Sequence, residues 1–137
     1  MKVLIVDDSK IVCDGLQQML TAIADVEVVK PAHKVQEAIV AIPEHKPDVV
    51  ILDIRMPGQS GIAVLKDIRD KNLPISVGML TNYPYPQYRK KCEELGAEYF
   101  LDKVTEIEKI PCITEELKVK MPVEDRVAAK PDASVHD

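Results

Sequence analysis

The stretch Asp48-Val49-Val50-Ile51-Leu52-Asp53 decides how the rest of the chain is read. Four consecutive large apolar residues, three of them β-branched, fit a strand buried on both faces of a parallel sheet. That strand ends in a carboxylate, and Met56-Pro57-Gly58 follows at once and forces a loop. A carboxylate at the C-terminal mouth of a buried parallel strand lies where open α/β sheets bind ligands.

Working outward, residues 2–6 (Lys-Val-Leu-Ile-Val) form a first buried strand that ends at Asp7-Asp8-Ser9. Val12, Leu16, Met19, Leu20 and Ile23 then recur at helical spacing. Residues 26–29 give a short second strand. A second helix from residue 34 turns Val35, Ala38, Ile39 and Ile42 inward, and Pro43 is expected to kink or end it. Downstream of Asp53, Ser60 is expected to cap a helix carrying Ile62, Leu65 and Ile68. Residues 74–80 form a fourth strand ending at Thr81. A helix over 86–95 begins on proline and stops at Gly96. Residues 98–101 form a fifth strand, followed by Asp102-Lys103. The last helix lies near 106–119, with Pro111 in its first turn.

Five strands alternating with five helices call for a parallel sheet covered on both faces by right-handed crossovers. By analogy with other doubly wound sheets, the expected strand order is 2-1-3-4-5, with a switch point between the first and third strands. There the strand ends bring Asp7, Asp8 and Asp53 together.

Bulk properties narrow the function classes. At 137 residues the chain suits one domain, and 46% apolar with 30% charged residues is ordinary for a globular protein. A net charge of −5 argues against a nucleic-acid surface. No apolar run reaches the roughly 18 residues that cross a membrane, and the N-terminus does not read as a signal peptide. Cys13, Cys92 and Cys112 fall at apolar helix positions without metal-ligand spacing, so they read as reduced core thiols of a cytoplasmic protein.

Three convergent carboxylates repel one another unless a cation joins them. An oxygen-only ligand set suits Mg²⁺ or Mn²⁺, and Mg²⁺ with one or two carboxylates points to phosphoryl chemistry. The metal and the Lys103 ammonium would neutralise phosphoryl oxygens, and the Thr81 hydroxyl could donate to another. Asp53, central among the strands, is then the nucleophile that forms an acyl phosphate. Strands one, three, four and five each deliver a polar residue at the same end, and a set of unrelated turn residues would not do that.

Taken together, Asp7-Asp8, Asp53 with Met56-Pro57 and Gly61, Thr81 and Lys103 resemble the signature of the response-regulator receiver domain of two-component signalling. The resemblance covers residues 2 to 119 and implies a flavodoxin-like α/β fold. It implies Asp53 as phospho-acceptor, fed by a sensor histidine kinase or phosphotransfer protein. It also implies Mg²⁺ held by Asp8, Asp53 and the Arg55 carbonyl, with Asp7 acting largely through water. Thr81 would be the switch hydroxyl, Phe100 the aromatic that changes rotamer with it, and Lys103 the cation that reads the phosphate. Such a protein is not an enzyme toward a separate substrate, although it catalyses its own phosphotransfer and dephosphorylation. The alternative is a degenerate receiver that acts as an unphosphorylated interaction module.

Residues 1–119 are expected to form the receiver and 120–137 a flexible tail without an output domain. The expected partners are the kinase or phosphotransfer protein and an unidentified downstream protein. No nucleic acid and no membrane are expected, and the chain is expected to be a monomer or a phosphorylation-dependent dimer. Arg55 and Tyr83, two residues after Asp53 and Thr81, are expected over the mouth of the site. Val104 stands where the family usually has proline, so the bond before it is expected to be trans.

Overall fold

The computed structural model describes residues 1–120. Most of the expected tail, residues 121–137, lies outside the described residues. Lys120, the first residue assigned to it, instead closes the last helix.

The parallel sheet is built from β1 (Lys2–Val6), β2 (Glu27–Val28), β3 (Val49–Leu52), β6 (Ser76–Thr81) and β7 (Tyr99–Asp102). Their order is β2-β1-β3-β6-β7, which is the expected 2-1-3-4-5 arrangement. The numbering differs because a two-stranded hairpin, β4 (Arg55–Met56) and β5 (Gln59–Ser60), sits between β3 and the next helix. The reading as a plain loop is therefore corrected. Pro57-Gly58 makes a tight reversal in which Gly58, at φ 80°, takes a left-handed conformation that favours glycine.

Side chains of the strands alternate between two cores, as the pleat requires. Leu4, Val6, Val50 and Leu52 face one cluster; Val3, Ile5, Val49 and Ile51 face the other. The first cluster is closed by α2 (Val35–His45), α3 (Ile62–Asp70) and α4 (Pro86–Glu94) through Ala38, Ile42, Leu65, Ile68 and Cys92. The second is closed by α1 (Lys10–Thr21) and α5 (Ile110–Lys120) through Leu16, Leu20, Ile110 and Leu117. Because both faces are covered, β3 carries no polar residue between its ends, and Asp53 is free to appear just past its last rung.

Several local expectations are corrected. Pro43 does not end α2: the helix continues to His45, and Lys46 at φ 50° forms its left-handed cap. Pro43 lies in the last turn, where the missing N–H costs only one bond of a ladder that is about to end. Ser60 belongs to β5 and is not the N-cap of α3; Gly61 takes that place, while the Ser60 hydroxyl accepts from the Ile62 N–H at 3.2 Å. Cys13 and Cys92 are buried, and burial pushes both thiols up to about 11. Cys112 is exposed, on the side of α5 away from its buried residues Ile110, Thr114 and Leu117. No cis peptide bond occurs among the described residues, so the Lys103–Val104 bond is trans. Among the same residues no helix is long and apolar enough to cross a membrane.

Candidate functional site: an acidic cluster at the switch point

The site begins with two residues that overrun their strands. The Asp7 N–H donates to the Ala32 carbonyl and the Asp53 N–H to the Val6 carbonyl, both at 3.0 Å. Each aspartate thus extends the ladder by one step and is held by main-chain bonds as a strand residue would be. Asp7 is 2% and Asp53 6% exposed, whereas Asp8, in the turn that follows, is open to solvent.

One carboxylate oxygen of each aspartate is taken by a local N–H: Ser9 donates to Asp7 Oδ1 at 2.8 Å and Ile54 to Asp53 Oδ1 at 2.7 Å. The other two are bridged by the Lys103 ammonium, 2.6 Å from Asp7 Oδ2 and 3.0 Å from Asp53 Oδ2. Lys103 is buried, and its N–H donates to the Thr81 carbonyl at 2.8 Å, which fixes the residue at the end of β7. Burial is the largest single influence on this ammonium and pulls its pKa down; the hydrogen bonds and charges of Asp7 and Asp53 together outweigh it, and the net shift is upward. Burial raises the Asp53 carboxyl, against the opposing pull of Lys103. These are the shifts expected when a low-dielectric site holds more negative than positive charge.

Thr81 is fully buried as the last residue of β6. Its hydroxyl accepts from the Tyr83 N–H at 3.0 Å, and no acceptor for its own hydrogen is present among the described residues. Ser9 performs the capping of α1, accepting from the Val12 N–H at 3.3 Å, so Asp7 and Asp8 are not needed for that purpose.

Asp7, Asp8 and Asp53 each offer an oxygen within 4.8 Å of the others. Three carboxylates against the one ammonium leave a formal charge of −2 (−3 + 1). An oxygen-only donor set with that charge fits a hard divalent cation of the Mg²⁺ type.

The other expected residues lie around this centre. Arg55 stacks its guanidinium over the Tyr83 ring at 4.3 Å and reaches the Tyr88 hydroxyl of α4 at 3.4 Å. Tyr85 stacks on Tyr88 at 5.7 Å and meets Tyr83 edge-on at 6.0 Å. The expected pair is therefore part of an Arg-Tyr group that joins the hairpin to α4. Phe100 is 7% exposed, with the Arg89 guanidinium 4.6 Å above its ring. Cation–π contacts at exposed sites are worth about 0.5–1 kcal/mol each.

Of the groups below, only the Ile54 N–H carries no expectation from sequence. The Ile54 N–H orients Asp53, and Tyr88 and Arg89 hold α4 against the hairpin and β7. Gly61, noted only as part of a pattern, is in fact pressed against the Asp53 backbone: a Cβ there would lie 1.7 Å from the Asp53 carbonyl oxygen.

Comparison with known proteins agrees with this geometry. The family model of the response regulator receiver domain matches residues 3–114. The chain is 37% identical over 82 residues to the DNA-binding transcriptional activator DevR/DosR of Mycobacterium tuberculosis, covering 60% of this chain and 38% of that one. It is 32% identical over 122 residues to a protein-glutamate methylesterase/protein-glutamine glutaminase of Methanococcoides burtonii, covering 88% and 34%. The chain thus spans between a third and about half the length of the curated relatives it matches. Among solved structures, the response regulator domain of Thermotoga maritima CheB superposes with a TM-score of 0.76 at 30% identity, over 87% of this chain and 94% of that one. With the family model spanning most of the chain and the acidic cluster at the switch point of a 2-1-3-4-5 sheet, this protein belongs to the response regulator receiver domain family.

Proposed function

We propose that this receiver is a phosphorylation-dependent switch in which Asp53 accepts a phosphoryl group from a phosphohistidine, on a sensor histidine kinase or a phosphotransfer protein, with Mg²⁺ as cofactor. The observation that carries the reading is the convergence of Asp7, Asp8 and Asp53 on one point, with Lys103 bridging two of them and Thr81 at the adjoining strand end. In the transfer, the phosphorus–nitrogen bond of the donor breaks and a bond forms between phosphorus and an Asp53 carboxylate oxygen. The imidazole leaves with the electron pair and takes its proton from solvent.

Asp7, Asp8, Asp53 and the Arg55 backbone carbonyl would hold Mg²⁺, which neutralises charge on phosphoryl oxygens. Lys103 would exchange a carboxylate contact for one to the phosphoryl group, a point charge already in place. The uncommitted Thr81 hydrogen is available for another phosphoryl oxygen, and turning the hydroxyl toward it would break its bond from the Tyr83 N–H. That movement would loosen the Arg-Tyr group and free space for Phe100 to change rotamer. The chain would catalyse its own phosphorylation and dephosphorylation without acting on a separate substrate.

Ile11 and Val104, 84% and 77% exposed, adjoin the acidic pair and Lys103 and offer apolar contact to the donor. The output would leave through α4, β7 and α5 to a downstream protein or a second copy. The switch is tested by amide chemical shifts before and after treatment with acetyl phosphate and Mg²⁺. Changes that extend from Asp53 through Thr81 to Arg89 and Phe100 are expected. Changes confined to the loops around Asp53 would reject the switch.

A further inference from the structure

The two ends of α4 are held differently. At the C-terminal end stands Arg69, the penultimate residue of α3. Its guanidinium donates to the carbonyls of Leu95 at 3.1 Å, Ile75 at 2.9 Å and Gly96 at 2.6 Å. It also pairs with Glu98 at 3.1 Å, and the same Glu98 oxygen accepts the Val77 N–H at 2.8 Å. Leu95 and Gly96 lie past the last turn of α4, where carbonyls have no partner within the helix and a cation meets the negative end of the helix dipole. Gly96, at φ 82°, reverses the chain, and the Ala97 N–H returns to the carbonyl of the buried Cys92 at 2.9 Å. One guanidinium thus ties α3, the end of α4 and the entries to β6 and β7 together.

At the N-terminal end no such tie is found among the described residues. No side chain caps the helix, the Arg55 bond to the Tyr88 hydroxyl is 3.4 Å long, and the Arg89 bond to the Phe100 carbonyl is 3.5 Å. Hydrogen bonds of that length are weak. Only residues 82–85 separate this end from Thr81. A rigid helix fastened at one end moves at the other, and the hinge is the terminal residue that absorbs the backbone change.

We infer that Arg69 is a positioning residue of the switch: it fixes the C-terminal end of α4, so that the helix turns about Gly96 and a displacement begun at Thr81 is expressed in its N-terminal half. The inference rests on the switch proposed above and adds which part of the helix moves. The planar fork is what the role requires, since a lysine ammonium is a point charge that does not reach three carbonyls and a carboxylate together. Arg69→Lys keeps the charge and the apolar stem, and so releases the helix end without emptying the site.

The test compares the full chain with Arg69→Lys, each with and without acetyl phosphate and Mg²⁺. Intact mass fixes the phosphoryl occupancy, and amide chemical shifts then map α4. In the unaltered chain, phosphorylation is expected to shift residues 83–89 and to leave 93–97 nearly in place. In Arg69→Lys, at the same mass gain, the shifts should spread to 93–97. Before phosphorylation, amide exchange at 95–97 should be about tenfold faster in Arg69→Lys, the value of one hydrogen bond to a charged group, and unchanged at 89–91. A variant with faster exchange whose phosphorylation shifts still fade after residue 89 has lost a structural tie only, which would overturn the positioning role. So would unchanged exchange at 95–97, or shifts of equal size at both ends of α4 in the unaltered chain. An unaltered chain without mass gain, or with mass gain and no shift in α4, is a separate failure, that of the switch itself, and the lever falls with it.

Discussion

Replacing Lys103 with methionine is expected to lower the unfolding free energy by about 3–5 kcal/mol in metal-free buffer, the usual result of breaking a buried ion pair from one side. The ammonium lies 2.6 Å and 3.0 Å from two carboxylates and is 8% exposed, so water cannot replace it without opening the site. Methionine keeps the apolar stem and leaves Asp7 and Asp53 facing each other unpaired. Mg²⁺ should then stabilise the variant more than it stabilises the unaltered protein, since the cation meets one more net negative charge. The pH dependence has a definite sign. Burial raises the Asp53 carboxyl above its unfolded value, so its protonated form favours the fold; that contribution is present at low pH and is lost as pH rises through the folded value. The deficit of the variant should therefore narrow toward acid. Lys103 is raised too, so its own contribution persists through neutral pH and is lost only in the alkaline range. Urea unfolding with and without Mg²⁺ measures all of this. A deficit under about 1 kcal/mol that ignores Mg²⁺ would mean that Lys103 does not hold the carboxylates together.

Gly61→Ala should be nearly as damaging, by about 3 kcal/mol, the upper end of ordinary overpacking. The reason is space. Gly61 has φ −60° and ψ −22°, which any residue accepts, but an added Cβ would sit 1.7 Å from the Asp53 carbonyl oxygen and 2.9 Å from its carbon. Those are main-chain atoms and cannot swing aside as a side chain would. The Gly61 N–H also donates to the Ile54 carbonyl at 2.6 Å, tying the hairpin to the segment that carries Asp53. Relief must come from moving Asp53 or detaching α3. Urea unfolding should show the loss, and the Ile54 amide resonance should move because its partner is the Asp53 carboxylate. A loss below about 1 kcal/mol with an unmoved Ile54 signal would show that the hairpin yields freely.

These two residues mark the limit of what could be read from the chain. The β1 and β3 strands follow from runs of apolar residues that end in carboxylates, a local signal, whereas the sheet order, and with it the convergence of the three aspartates, comes by analogy with other doubly wound sheets. The 3.6-residue spacing of Leu16 and Leu20, or of Leu65 and Ile68, is equally local, and those residues are buried as expected. Lys103 was legible as a cation at the right end of β7, but its bridge to Asp7 spans 96 positions and depends on side-chain reach. The close approach of Gly61 to Asp53 has no sequence mark beyond the residue type. The hairpin of Arg55–Met56 and Gln59–Ser60 carries a turn signature, Pro-Gly at the centre of four residues, but its flanking strands have only two residues each, too few to show an alternating pattern. The continuation of α2 past Pro43 shows a different error, a general rule applied where the helix had only one turn left to lose.

The central claim is that Asp53, and neither Asp7 nor Asp8, receives the phosphoryl group. Intact-mass measurement after incubation with acetyl phosphate and Mg²⁺ tests it most directly, with Asp53→Asn and an EDTA-treated sample run alongside. The unaltered chain should gain one increment of about 80 Da, the mass of a phosphoryl group on a nucleophilic carboxylate, and both controls should gain none. The same increment on Asp53→Asn, at the same rate, would contradict the assignment.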